Sequence, residues 1–139
     1  MPSELTVRAA HRGGMKFEAE AGGHRVVLDY PLQPGPSAGM KPLEMLLSSL
    51  AGCIGSTLAL LLGRMKQPLQ GLEVAVRASR RDEHPTVLTK IDMEFVLRGP
   101  GLDPAAVQRA LTQSEEKLCP VWAMLKGGTP ISATFRIDS

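Results

Sequence analysis

The stretch that decides the fold is PLEMLLSSLAGCIGSTLALLLGRM, residues 42–65. A proline in the first turn, with Glu44 near the positive end of the helix dipole, predicts a helix that begins at Pro42. The nineteen residues between Glu44 and Arg64 carry no charge. Such a helix is either a membrane span or a core helix buried on nearly all sides. Its serines and glycines weaken its hydropathy, and amphipathic strands flank it, so the sequence favours the core helix.

The segment before this helix predicts short strands and a linker. Residues 15–21 and 24–30 alternate in polarity, and the Gly22-Gly23 pair between them predicts a hairpin turn. Residues 5–10 are a candidate first strand. Residues 31–40 are rich in Pro, Gly and Ser, which is typical of a linker.

After the helix, residues 72–80 and 87–97 alternate in the pattern of an antiparallel sheet with one solvated face. Asp103-Pro104 predicts the start of a helix that ends near residue 118, and a short helix follows over residues 120–125. Residues 131–137 predict the last strand. The predicted apolar side of the first of these helices is formed by Val107, Ala110, Leu111, Ser114 and Leu118.

Composition bounds the class of protein. The chain has 139 residues, of which 43% are hydrophobic and 22% are charged, with a net charge of +2. These values predict one soluble globular domain over residues 1–139, and the order of the predicted strands and helices makes it an α+β domain. The longest basic cluster, Arg77, Arg80 and Arg81, is too small for a nucleic-acid surface. The first residues lack a basic start and an apolar run, which favours a cytoplasmic protein that is not bound to a membrane.

Two cysteines are too few for a secreted disulfide scaffold, so in a reducing compartment they are expected to be free, catalytic or redox-sensing. The three histidines do not stand at metal-site spacing, and no metal or other cofactor is expected. Cys119 precedes Pro120 and should cap the next helix, which would lower its pKa. Cys53 lies in the apolar helix, where burial would raise its pKa.

The two cysteine motifs resemble those of the OsmC/Ohr family of osmotically inducible and organic hydroperoxide resistance proteins. Residues 42–53 are similar to its central-helix motif, in which a proline, an acidic residue and a run of small residues lead to the first cysteine. Leu118-Cys119-Pro120-Val121 resembles its second motif. The resemblance covers nearly the whole chain and is closest to the OsmC-like branch.

The resemblance implies an intertwined homodimer of antiparallel sheets packed on a long buried central helix. It implies a cofactor-free peroxidase in which Cys53 attacks an organic hydroperoxide and Cys119 resolves the sulfenic acid as a disulfide. A dithiol or lipoyl group would then reduce that disulfide. The expected wall around Cys53 consists of Leu46, Leu47, Leu50, Ile54, Trp122 and Met124.

The family's peroxidases also use a Glu and an Arg near the first cysteine. Glu44 is the matching carboxylate, although it can equally be a first-turn residue that favours the helix dipole. Arg12 is the early arginine of the N-terminal hairpin, and the alternative is a solvated surface side chain. A second function therefore stays open, in which a non-catalytic dimer binds a small hydrophobic ligand or senses redox state.

Overall fold

A computed structural model describes residues 3–32 and 34–138, and its chain divides into two compact units, Met1–Ser48 and Ser49–Ser139. The predicted order of elements and the α+β class are confirmed. The strands are β1 (Arg8–His11), β2 (Phe17–Ala21), β3 (His24–Leu28), β4 (Gly71–Arg80), β5 (Leu88–Arg98) and β6 (Ile131–Asp138). The helices are α1 (Pro42–Arg64), α2 (Pro104–Gln113) and α3 (Pro120–Leu125), and a π turn, Ser114–Leu118, joins the last two.

The N-terminal unit contains the antiparallel sheet β1-β2-β3. Gly22 and Gly23 both have positive φ, as a tight hairpin turn between twisted strands requires. The predicted linker is anchored to β3. The backbone N–H of Ala38 donates to the Asp29 carboxylate at 3.0 Å, and Gly39 lies so close to the carbonyl of Val27 that a Cβ would overlap it.

The C-terminal unit contains the sheet β4-β5-β6, whose order follows the predicted strands. The register pairs Val74 with Phe95 and Phe95 with Phe135, so the alternating apolar residues share one face. The prediction of wholly antiparallel sheets is wrong here, because β6 runs parallel to β5. The two helices between these strands supply the long crossover that a parallel pair needs.

The helix predicted to end near residue 118 is interrupted. α2 ends at Gln113, and residues 114–118 form a π turn in which the backbone N–H of Cys119 donates to the carbonyl of Ser114 at 2.9 Å. The wider turn changes the direction of the following side chains. Leu118, predicted on the apolar side, is therefore 43% exposed, whereas Cys119 is buried.

Within one chain, helix α1 is buried along one side only. Its buried residues are Leu50, Ile54, Gly55, Leu58, Leu61 and Leu62. A Cβ at Gly55 would lie 3.4 Å from Val74 on β4, so the helix packs closely on the sheet there. A three-stranded sheet covers one side of a helix. The other side exposes Gly52, Ser56, Ala59, Leu60 and Gly63.

Candidate functional site

The π turn and the start of α3 together position Cys119. Ser114 is fully buried, and its hydroxyl donates to the carbonyl of Ala110 at 2.9 Å. Its own carbonyl accepts from the backbone N–H of Cys119. Cys119 then adopts an extended conformation before Pro120 and is the N-cap of α3. The predicted N-cap position is confirmed.

The predicted effect of that position on the Cys119 pKa is wrong. The Cys119 sulfur accepts a hydrogen bond from the backbone N–H of Trp122 at 3.4 Å, which favours the thiolate. Burial of a side chain that is 2% exposed, together with a hydrogen bond to Cys53, raises the pKa of Cys119 to about 11. Desolvation opposes the charged form more strongly than two backbone N–H groups at the start of a short helix support it.

Cys53 faces Cys119 from the middle of α1. Its side chain is half-buried, both cysteines are free thiols, and Cys53 is the neighbouring thiol that contributes to the raised pKa of Cys119. The structure thus brings together two residues that are 66 positions apart in the chain. Leu50 and Ile54, on either side of Cys53 in the helix, have no exposed surface.

The expected wall around Cys53 is changed by these burial values. Leu50 and Ile54 belong to the core of the C-terminal unit, because tight packing leaves no surface for a substrate to touch. Trp122 is 7% exposed and Met124 is 74% exposed, whereas Leu46 and Leu47 are half-buried.

Glu44 takes part in a local cap. Its carboxylate accepts from the backbone N–H of Lys41 at 2.9 Å. This is the reciprocal half of a capping box, in which the third helical residue reaches back to the residue before the helix. Glu44 therefore acts as a first-turn residue that stabilises the start of α1.

Arg12 lies in the loop between β1 and β2. Its guanidinium is 3.3 Å from the carboxylate of Glu18, and its side chain is 52% exposed. Glu18 also lies 3.7 Å from Arg25. The arginine therefore forms a surface ion pair within the N-terminal unit.

The sequence did not indicate the roles of two residues that position Cys119. Ser114 fixes the π turn, and the backbone N–H of Trp122 orients the Cys119 sulfur. A serine on the apolar side of a predicted helix was the available signal for the first. Within residues 3–32 and 34–138, no cluster of three or more His, Cys, Asp or Glu side chains forms a metal site.

Comparison with known proteins identifies the family. Residues 35–134 match the family model described as OsmC-like protein. The chain belongs to the OsmC-like family. It is 33% identical to Protein YhfA of Escherichia coli strain K12 over 125 residues, which cover 89% of this chain and 91% of that protein.

Solved structures share the fold of this OsmC-like chain. An OsmC-like protein from Mycoplasma pneumoniae aligns with a TM-score of 0.86 at 19% identity, over the whole of both chains. An organic hydroperoxide resistance protein OsmC from Legionella pneumophila aligns with a TM-score of 0.69 at 15% identity, covering 96% of each chain. Helix α1 is long and apolar enough to cross a membrane, and in this chain it is the central helix of the OsmC-like fold.

We expect the raised pKa of Cys119 to make stability depend on pH. Its folded-state pKa of about 11 exceeds the ordinary value of 9.0, so folding favours the protonated thiol. That stabilisation is fully present below about pH 9 and is lost as the pH rises through the folded-state pKa. The free energy of unfolding is measured in urea, under reducing conditions, between about pH 8 and pH 11.

The measurement compares Cys53→Ala with the double variant Cys53→Ala/Cys119→Ala. Both variants lack the Cys53 thiol, so they differ only in the presence of the Cys119 thiol. Burial, the largest cause of the shift, is retained in the single variant. The single variant should lose more stability than the double variant across this range. Parallel pH profiles would contradict the assignment.

Proposed function

We propose that this protein is a thiol peroxidase that reduces organic hydroperoxides to alcohols. The observation that carries the proposal is the pair of free thiols, Cys53 and Cys119, which are neighbours within the C-terminal unit. A disulfide between them requires the two Cα atoms to lie within about 7 Å of each other. Family membership, and the name of the Legionella pneumophila relative, support hydroperoxides as the substrate class.

The proposed chemistry balances over two thiols. The Cys53 thiolate attacks the terminal peroxide oxygen, the O–O bond breaks, and the alkoxide takes up the proton that Cys53 lost. Cys53 is then a sulfenic acid. The Cys119 sulfur attacks it, hydroxide leaves with the Cys119 proton as water, and a Cys53–Cys119 disulfide forms. An external dithiol, such as a lipoyl group, restores both thiols.

Glu44 and Arg12 stay predictions as contributors to catalysis. Each has a local partner, the Lys41 backbone for Glu44 and Glu18 for Arg12. Taking part at the reaction centre would require each side chain to exchange that partner for the substrate or the Cys53 sulfur.

We also propose that the protein is a homodimer, because a single chain leaves two surfaces without a hydrophobic cover. Of the described residues in 3–48, none is buried. A sheet of three strands of four or five residues is marginal without a hydrophobic cover. The exposed side of α1 from Gly52 to Gly63 consists of small residues and Leu60, and small residues permit close packing of a second helix. A second copy of this chain would cover both the N-terminal sheet and the exposed side of α1.

A second candidate function is a dimeric binding protein or redox sensor. It is favoured by the local engagement of Arg12 and Glu44, which leaves Cys53 without an assigned cation. Reactive thiols with no peroxide turnover would favour this candidate.

The first test separates the roles of Cys53 and Cys119. Cys53→Ser should abolish loss of cumene hydroperoxide in the presence of dithiothreitol. Cys119→Ser should permit one fast reaction and leave a sulfenic acid on Cys53, because no second thiol resolves it. Mass spectrometry after one equivalent of peroxide should find the Cys53–Cys119 disulfide in the unmodified protein. Free thiols, or reactivity that depends on Cys119 alone, would refute the assignment.

Substrate preference gives the second test. A cumyl group that buries about 100 Å² of apolar surface gains about 2.5 kcal/mol at about 25 cal/mol per Å². If this gain persists in the transition state, kcat/KM should favour cumene hydroperoxide over hydrogen peroxide by about a hundredfold. Steady-state peroxide consumption measures both values. Equal kcat/KM values would contradict an apolar substrate site.

The dimer is tested with Ala59→Glu, which places a charge on the exposed side of α1. Light scattering at micromolar concentration should show a dimer for the unmodified protein and loss of that dimer in the variant, because the carboxylate would be buried without a partner. Ala105→Glu, at an exposed alanine in the first turn of α2, is the matched control and should remain dimeric. A stable folded monomer of the unmodified protein would overturn the proposal.

A further inference from the structure

We propose that Gln67 is a positioning residue for the cysteine pair, because it joins the helix that carries Cys53 to the helix that leads to Cys119. Two hydrogen bonds make this connection. One runs from the backbone of Gln67 to the end of α1, and the other runs from Asp103, at the start of α2, to the Gln67 side chain. The role rests on the proposed peroxidase function and concerns the relative position of its two thiols.

The backbone of Gln67 is fixed to the last turn of α1 by a Schellman motif. Lys66 has a φ of 57°, the left-handed conformation that commonly follows the end of a helix. Its N–H donates to the carbonyl of Gly63 at 3.0 Å, and the Gln67 N–H donates to the carbonyl of Leu62 at 2.9 Å. Leu62 has no exposed surface, so the core holds this end of α1 and, through it, Gln67. Cys53 lies in the same helix.

The side chain of Gln67 completes the cap of α2. Its Oε1 accepts a hydrogen bond from the backbone N–H of Asp103 at 2.9 Å, across 36 positions of the sequence. Asp103 is the N-cap of α2, and its carboxylate accepts from the N–H of Ala105 at 3.0 Å. In a capping box, a Glu or Gln at the third helical position accepts from the N-cap N–H. That position is Ala106 here, which has no side-chain acceptor, so Gln67 supplies the acceptor from the end of α1.

Helix α2 connects this contact to Cys119. At the C-terminal end of α2, the Ser114 hydroxyl donates to the carbonyl of Ala110 at 2.9 Å. The Ser114 carbonyl accepts from the backbone N–H of Cys119 at 2.9 Å, so Cys119 is tied directly to the end of α2. The buried side of α2 consists of Ala106, Val107, Ala110 and Leu111. A movement of α2 relative to α1 would therefore change the position of Cys119 relative to Cys53.

A fixed relative position of the two helices favours formation of the Cys53–Cys119 disulfide. The S–S bond forms only when the two Cα atoms lie within about 7 Å of each other. Because the Gln67–Asp103 hydrogen bond restricts α1 and α2 before the reaction, less conformational freedom is lost when the S–S bond forms. By thermodynamic linkage, the disulfide stabilises that hydrogen bond by the same factor.

The first measurement is the reduction potential of the Cys53–Cys119 disulfide, obtained by mass spectrometry of the full-length protein in dithiothreitol buffers of known ratio. Gln67→Ala should lower the equilibrium constant for disulfide formation about fivefold, the shift that loss of one helix cap produces. The potential then becomes about 20 mV less negative. Loss of stability alone leaves this potential unchanged, because it compares two folded forms.

Two variants serve as controls for this measurement. Gln67→Glu keeps a side-chain acceptor for the Asp103 N–H and should have the potential of the unmodified protein. Gln70→Ala removes an exposed glutamine side chain from the same loop and should also have that potential. The loop has a further tie to β5 that Gln67→Ala leaves in place, since the backbone N–H of Gln70 donates to the carbonyl of Arg98 at 2.8 Å.

A second measurement needs no variant, so it decides the matter even if a substitution prevents folding. Amide hydrogen exchange followed by NMR should show that the Asp103 N–H is protected in the reduced protein. In the disulfide form its exchange should be about fivefold slower, the same factor by which Gln67→Ala changes the equilibrium constant.

Equal potentials for Gln67→Ala and the unmodified protein would overturn the role of Gln67 and leave the proposed peroxidase standing. The same holds if the Asp103 amide exchanges at the rate of an unprotected peptide. If the unmodified protein forms no Cys53–Cys119 disulfide, the proposed function and the role of Gln67 are both refuted. The expected potentials without peroxide turnover would support the role of Gln67 and refute the peroxidase, so the two failures are distinguishable.

Discussion

The constraint on which the rest of this structure depends is the covering of helix α1. A helix with nineteen consecutive uncharged residues cannot remain in water with its apolar surface exposed. The sheet β4-β5-β6 covers one side of it, with Gly55 permitting close approach to Val74. The side that stays exposed in one chain carries small residues and Leu60, and it is the surface proposed above for contact with a second copy.

The position of the two cysteines follows from that packing. Cys53 lies on α1 between the fully buried residues Leu50 and Ile54, which fix its position in the helix. Cys119 is brought to it by the π turn, which also moves Leu118 to the surface. A regular α-helix continued through this segment would have changed the direction of the Cys119 side chain. The irregular turn is therefore part of the site, as π turns frequently are.

Burial and capping compete at Cys119, and their relative size decides its chemistry. The start of α3 offers N–H groups to the sulfur, but the removal of water from a fully packed thiol has the larger effect. A capped cysteine that is exposed and one that is buried therefore differ in the direction of their pKa shift.

The sequence by itself determined the elements and their order, because hydrophobic periodicity, the Gly22-Gly23 turn and the Asp103-Pro104 cap are local signals. The two cysteine motifs also indicated the family correctly. Tertiary structure decided the parallel pairing of β6, the single buried side of α1 and the raised pKa of Cys119. Each of these depends on which distant residues cover a given surface, and local patterns in a chain do not record how completely water is excluded.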